Sequence, residues 1–282
     1  MIYKKIPLNQ MFSEWSNSLE PATLTLYLQE ANLEIDANRL FPCIVICPGG
    51  GYEFTSSRET EPIALRYIAM GYSAAVLEYS TNTAKFPTQI CELSIAVAWL
   101  RRHKEFLIHP DKIAVCGFSA GGHLAGCLLN FWNSQVLLKS LPINSGENKP
   151  NAGILCYPVI TTGKFSHVSS FNYLLGDNLD IQNQELLSLE KSVNMYNPPC
   201  FLWHTADDCS VPVENSLLYA MALHKYNIQM ELHIYPKGPH GLSLGDYCSA
   251  DSPEFKNPIA AQWFMQSILF LNNIFNIPFS EG

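Results

Sequence analysis

KIAVCGFSAGGHLAGC, residues 112–127, is the stretch whose reading decides the fold. Its first five residues form a short apolar run that reads as a buried strand. Gly117-Phe118-Ser119-Ala120-Gly121 follows, and Gly122-His123-Leu124-Ala125 then opens a helical pattern. A serine with a glycine two residues away on each side, set between strand and helix, is the G-x-S-x-G nucleophile elbow. The turn forces the serine into a strained backbone conformation, and a β-carbon at either glycine would collide with the strand or the helix. The strain presents Oγ at a helix N-terminus, where N–H groups and the macrodipole favour a developing anion.

Upstream, residues 23–29 (TLTLYLQ) alternate as a strand with one covered face, and residues 30–42 are a polar connection. CIVIC at 43–47 is continuous and β-branched, as in a strand buried on both faces. It runs into Pro48-Gly49-Gly50-Gly51-Tyr52. Alone, three glycines read as a tight turn. Beside the elbow they match the H-G-G-G type of loop whose N–H groups bind an oxyanion, with Pro48 where that motif has His. Gly50 and Gly51 are the expected donors, joined by the N–H of Ala120. Residues 59–70 read as a helix ending at Gly71, and 72–79 as a strand. Residues 87–106 read as a long amphipathic helix whose last turns carry Arg101, Arg102, His103 and Lys104, suited to the negative end of the macrodipole.

Downstream, 134–151 is polar and loop-like, and 153–157 is a strand closed by Pro158. Residues 159–197 are the least regular, with one short amphipathic piece at 186–193, and read as a small cap inserted over the site. CFLWHT at 200–205 is a core strand, followed by Ala206-Asp207-Asp208. A helix at 212–226, a strand at 230–235, the loop Gly238-Pro239-His240-Gly241 and a closing helix at 258–275 complete the chain. Strand and helix alternate without a repeat or a Ser/Gly linker. That predicts one α/β domain over 1–282, built on a mainly parallel central sheet with helices on both faces.

Composition narrows the function. The 282 residues are 48% hydrophobic and 15% charged, with a formal net charge of -8, which disfavours nucleic acid or an anionic membrane as partner. The first sixteen residues lack the apolar core and cleavage site of a secretory signal, and no apolar run is long enough to span a bilayer. Most of the nine cysteines sit in apolar strand-like runs, the pattern of reduced core thiols in a cytoplasmic protein. His103 and His109 have no ligand spacing with other metal-binding types, and no HExxH occurs, so neither a metal nor another cofactor is expected.

A serine hydroxyl needs a base to take its proton, and the base needs a third group to fix its tautomer. Parallel strands deliver their C-terminal loops to one sheet edge, so the order Ser, Asp, His over successive strands can converge there. His240, between glycines just past a strand, is the expected base. His204 and His233 lie within strands and read as packed or hydrogen-bonded there, while His123, one turn beyond the serine, reads as supporting the elbow from behind. Asp207 and Asp208 compete for the acid. The spacing His204-x-x-x-Asp208-x-x-Val211-Pro212 selects Asp208 and leaves Asp207 as a turn or supporting residue. Tyr52, Phe118 and Trp203, with the 159–197 segment, are the expected pocket walls.

The chain resembles the α/β-hydrolase fold. More narrowly, it is similar to the bacterial acetyl-esterase group that includes acetylxylan and feruloyl esterases, relatives of the hormone-sensitive-lipase-like enzymes. The resemblance is carried by PGGGY at 48–52, RETEP at 58–62, GFSAGGHLA at 117–125, YPVI at 157–160, PPCFLWHTADDCSVP at 198–212 and GPHGLSL at 238–244, and it runs from about residue 40 to the C-terminus. It implies a serine carboxylesterase that deacetylates small esters or acetylated sugars such as xylo-oligosaccharides. The expected partner is that small-molecule substrate; a homodimer is compatible with the sequence. The rival readings are an aryl-formamidase, a peptidase of the prolyl-oligopeptidase kind and, from another class, a ligand-binding homologue without catalysis. A nucleotide-binding domain is disfavoured, because neither glycine cluster has G-x-G-x-x-G spacing and no P-loop lysine follows.

Overall fold

β-Branched and small apolar residues, concentrated in eight short runs, build one sheet with strand order β1-β2-β4-β3-β5-β6-β7-β8. The strands are β1 (Ile2–Pro7), β2 (Thr23–Leu28), β3 (Phe41–Cys47), β4 (Ser73–Glu78), β5 (Ile108–Phe118), β6 (Ala152–Cys156), β7 (Cys200–Thr205) and β8 (Met230–Tyr235). β1 and β2 pair antiparallel, as do β2 and β4; every other pairing is parallel. The computed structural model describes residues 1–11, 22–134 and 141–278. The loop expected at 134–151 and the N-terminal reading of residues 1–16 therefore lie partly outside the described residues.

Alternation along the central strands feeds two separate cores. Cys43, Val45 and Cys47 of β3, with Val115 and Leu202, face α2 (Thr88–Arg102), α3 (Ala120–Phe131) and α7 (Glu214–Lys225). Ile44 and Ile46, with Ala114, Cys116, Ile154 and Phe201, face α1 (Glu61–Ala69) and the closing helix α8 (Trp263–Ile274). Burial on both faces explains why β3 is apolar at every position, as a parallel central strand requires.

Several boundaries differ from the sequence reading. β1 was absent from it: Lys4 and Lys5 interrupt the apolar pattern of this edge strand, and lysines on an edge discourage pairing with another chain. The helix expected over 87–106 stops at Arg102, and a 3-10 turn at Lys104–Phe106 leads through Leu107, which has positive φ, into a longer β5. The closing helix begins at Trp263 because the Asn257 side chain accepts from the N–H groups of Ile259 and Ala260, holding a separate turn ahead of it. The 159–197 segment is more helical than its composition suggests. It holds α4 (Val168–Leu175), α5 (Ile181–Leu187), capped by the Asp180 carboxylate on Asn183 N–H, and the single turn α6 (Leu189–Ser192).

Candidate active site

The elbow follows from packing at close quarters. A β-carbon on Gly117 would lie 2.1 Å from the Gly121 carbonyl oxygen, and one on Gly121 would lie 2.2 Å from that of Cys47. Only glycine lets β5, α3 and the loop after β3 approach so closely. Ser119 between them takes φ 52° and ψ -119°, a strained conformation for a residue with a side chain. It is 7% exposed and lines a cavity of about 420 Å³.

The loops after β5, β7 and β8 bring three predicted residues together at one sheet edge. His240 Nε2 lies 2.7 Å from Ser119 Oγ, and His240 Nδ1 lies 2.6 Å from Asp208 Oδ2. The second Asp208 oxygen accepts from the N–H groups of Ser210 and Val211, each at 2.9 Å. Burial acts to raise the Asp208 pKa, but hydrogen bonds from His204, His240 and the Val211 amide outweigh it and hold the carboxyl well below the usual range. His204 is itself buried. Its Nε2 donates to the Val211 carbonyl at 2.9 Å, and Nδ1 sits 2.8 Å from the Ser216 hydroxyl.

Asp207 points elsewhere. Its Oδ1 accepts from the N–H of Gly238 at 2.7 Å, while Thr205 Oγ1 donates to the Gly238 carbonyl at 2.8 Å. Both contacts pin the loop that carries His240.

Gly50 and Gly51, with φ of 125° and 66°, line the cavity beside Ser119. Among the described residues, neither N–H has a hydrogen-bond acceptor. Ala120 is the first residue of α3, where an N–H has no partner within the helix. Behind the loop, Tyr52 donates its hydroxyl proton to His123 Nδ1 at 2.8 Å, and His123 Nε2 donates to the Leu187 carbonyl at 3.0 Å. Burial pushes the His123 pKa down to about 4, against the Leu187 bond, so the ring is neutral at pH 7.

The pocket aromatics require correction. Tyr52, Phe118 and Trp203 are core residues, each at most 1% exposed, and none lines the cavity. Phe118 packs on Tyr157 and Trp263, and Trp203 stacks on Trp263. Strand alternation carries Phe118 and Trp203 away from the cleft, a direction that an aromatic type alone does not reveal. The wall instead mixes the polar residues Ser56, Arg58, His167, Ser169, Ser210 and Asp251 with Phe54, Tyr173 and the loop glycines. His167, at the start of α4, is partly buried, which lowers its pKa, and the nearby His240 lowers it further. Tyr173 of α4 donates to Glu53 at 2.6 Å, joining the 159–197 segment to the loop after β3. The 159–197 segment expected at the wall supplies His167, Ser169 and Tyr173, but which individual side chains face the cavity was not legible, because a polar residue looks the same in sequence whether it faces bulk water or a cleft.

Glu59 was also missed, although it stands inside the RETEP string. It is 3% exposed, and its pKa is raised by burial, opposed by hydrogen bonds from Tyr157 and Gly49 and by the nearby His240. Among the described residues, no group of three or more His, Cys, Asp or Glu side chains is arranged to hold a metal ion.

The sequence model of the BD-FAE family matches residues 31–223. The chain belongs to the BD-FAE family. This BD-FAE chain is 37% identical over 214 residues to endo-1,4-beta-xylanase B of Butyrivibrio fibrisolvens, covering 72% of itself and 33% of that protein. It is 29% identical over 212 residues to the acetylxylan esterase of Xylanibacter ruminicola, covering 72% of itself and 42% of the relative. It thus spans between a third and a half of these two relatives. Among solved structures, the acetyl ester-xyloside bifunctional hydrolase from Caldicellulosiruptor lactoaceticus superposes with a TM-score of 0.82 at 35% identity, over 98% of this chain and 97% of that one. The BD-FAE chain also superposes on MGS-M1, an alpha/beta hydrolase enzyme from a Medee basin deep-sea metagenome library, with a TM-score of 0.78 at 33% identity over 98% of this chain and 99% of that one, and its fold is the α/β-hydrolase fold.

Proposed function

We propose that this chain is a serine carboxylesterase that removes small acyl groups, acetyl above all, from sugars or other small alcohols. The observation that carries the proposal is the continuous hydrogen-bonded run Ser119–His240–Asp208 beside two glycine N–H groups with no acceptor among the described residues.

In this reading Ser119 Oγ attacks the ester carbonyl as His240 Nε2 takes its proton. Asp208 holds Nδ1–H, which fixes the tautomer and supports the imidazolium. The oxyanion is received by the N–H groups of Gly50, Gly51 and Ala120, contacts worth on the order of 10²–10³ in rate per donor. The C–O bond to the alcohol then breaks, and His240 returns the proton to the leaving oxygen. Water, deprotonated by the same ring, cleaves the acyl-enzyme, and Ser119 leaves with a proton from His240. The 159–197 segment acts as a small cap, with His167, Ser169 and Tyr173 on the cavity wall. The few polar side chains placed around the cavity, Arg58, His167, Ser169 and Asp251 among them, supply hydrogen-bonding groups that can orient a hydroxyl-rich alcohol. The relatives named for acetylxylan and for acetyl ester-xyloside hydrolysis support the same substrate class. No disulfide joins the nine cysteines, which fits a reducing compartment, and we assign the chain to the cytoplasm.

A panel of p-nitrophenyl esters, acetylated xylo-oligosaccharides, methyl ferulate and N-formylkynurenine tests this reading. We expect turnover of p-nitrophenyl acetate and the acetylated sugar, little of p-nitrophenyl octanoate, and none of either substrate by folded Ser119→Ala. Retained activity in that variant removes Ser119 from its role, and preference for N-formylkynurenine moves the assignment to a formamidase.

A further inference from the structure

Residue 49 begins the glycine loop, and residue 243 lies three positions past His240. The two loops come from opposite halves of the chain, yet a single buried carboxylate joins them. Glu59 Oε2 accepts the Gly49 N–H at 2.7 Å, and Oε1 accepts the Tyr157 hydroxyl proton at 2.5 Å. The Tyr157 oxygen in turn accepts the Ser243 N–H at 2.9 Å, and Ser243 Oγ donates to the carbonyl of Arg58, the neighbour of Glu59, at 2.7 Å. The ring of bonds is closed. Three non-glycine residues around it have positive φ: Ser119 at 52°, Tyr157 at 37° and Ser243 at 54°. Such conformations persist only where the surroundings over-determine them. The Tyr157 ring also stands edge-on to His240, with centroids 5.1 Å apart.

The donor count explains why a carboxylate occupies this place. Tyr157 already accepts from Ser243, so its one proton must find an acceptor, and Gly49 N–H needs another. A carboxylate offers an acceptor on both oxygens, whereas an amide offers one acceptor and one donor. Glutamine at 59 would leave either the Gly49 N–H or the Tyr157 O–H facing a donor. A β-carbon at Gly49 would stand 2.8 Å from Glu59 Oε2 and 3.0 Å from Ser119 Cβ, so Gly49 itself fills the space between the carboxylate and the elbow.

We propose that Glu59, acting through Gly49 and Tyr157, is the positioning residue that sets the anion-binding loop and the His240 loop in register with each other. Its two oxygens are taken by the Gly49 amide and the Tyr157 hydroxyl, so although it borders the cavity it acts through these two partners rather than on Ser119 Oγ. Its effect is on transition-state geometry, so its loss should lower kcat and leave substrate binding nearly intact. This inference rests on ester hydrolysis at Ser119.

The test is steady-state hydrolysis of p-nitrophenyl acetate by the wild type, Glu59→Gln, Tyr157→Phe and the double variant, with folding checked by circular dichroism. Tyr157→Phe keeps the ring and the Glu59–Gly49 bond, so it decides the matter if Glu59→Gln fails to fold. Each single change is expected to lower kcat on the order of 10- to 100-fold with KM within about twofold, and the double variant should fall short of the product of the singles. Folded variants with kcat within about twofold of wild type, or a loss confined to KM, would overturn the positioning role. An inactive wild type would defeat the esterase reading and this inference together; an active wild type with indifferent variants defeats only this inference.

Discussion

Two adjacent aspartates separate by what each can reach. Asp208 Oδ2 meets His240 Nδ1, while Asp207 Oδ1 meets a backbone N–H on the loop beneath it. Exchanging Asp208 for Asn presents either an amide N–H or a neutral oxygen to Nδ1, which disturbs the tautomer that leaves Nε2 free to take a proton. Asp208→Asn should therefore lower kcat on the order of 10³–10⁴ with the fold intact. Asp207→Ala removes one tie on a loop that Thr205 also holds, and should cost no more than about tenfold. Rates for the two variants on p-nitrophenyl acetate check the assignment, and a reversed order would move the acid to Asp207. Sequence spacing alone separated this pair, because the turn from Asp208 to Val211 requires a carboxylate that accepts two successive amides. It could not do the same for Glu59. Its role is set by Gly49, Tyr157 and Ser243, which lie 10, 98 and 184 positions or so away along the chain.

Elements meet at the site through buried polar side chains. His123 on α3 holds Tyr52 of the glycine loop with one nitrogen and the C-terminal carbonyl of α5 with the other. The neutral ring satisfies both contacts; the protonated ring puts a donor where Tyr52 already donates. The folded-state pKa of about 4 lies below the unfolded value near 6.5, so the unfolded chain takes up the proton first as pH falls. Stability should accordingly decline as pH drops from about 6.5 towards 4, with about 2 kcal/mol of the His123 contribution lost between pH 7 and pH 5. Urea unfolding at the two pH values measures this, and His123→Leu, though weaker overall, should show a smaller difference between them. An unchanged pH dependence in that variant would assign the effect to other groups. The same element scale explains where sequence reading succeeded. Buried strands such as Phe41–Cys47 and Cys200–Thr205 declare themselves by unbroken apolar runs, since both faces need covering. Helix ends and the helices of 159–197 depend on local caps such as Asp180 and Asn257, whose side chains look like ordinary loop residues until their donors are known.

At the scale of the molecule, the parallel central sheet is what makes the site. Strands β3, β5, β7 and β8 all end at the same edge, and each hands over one part: the glycine loop, Ser119, Asp208 and His240. That convergence was legible because it follows from strand direction and the order of motifs. The pocket wall was legible only as a segment: 159–197 was expected there and supplies His167 and Ser169, but which side chains face the cavity depends on the finished fold, so three core aromatics were expected there and Arg58 was not. In the described residues no helix is long and apolar enough to cross a membrane. The central claim is that a sheet edge assembles one activated serine. Reaction with a fluorophosphonate probe, followed by peptide mapping, tests it most directly. A single adduct on the peptide containing Ser119, lost in Ser119→Ala and greatly slowed in His240→Ala, is the predicted result; folded wild-type protein that stays unlabelled, or carries the adduct on another residue, would contradict it.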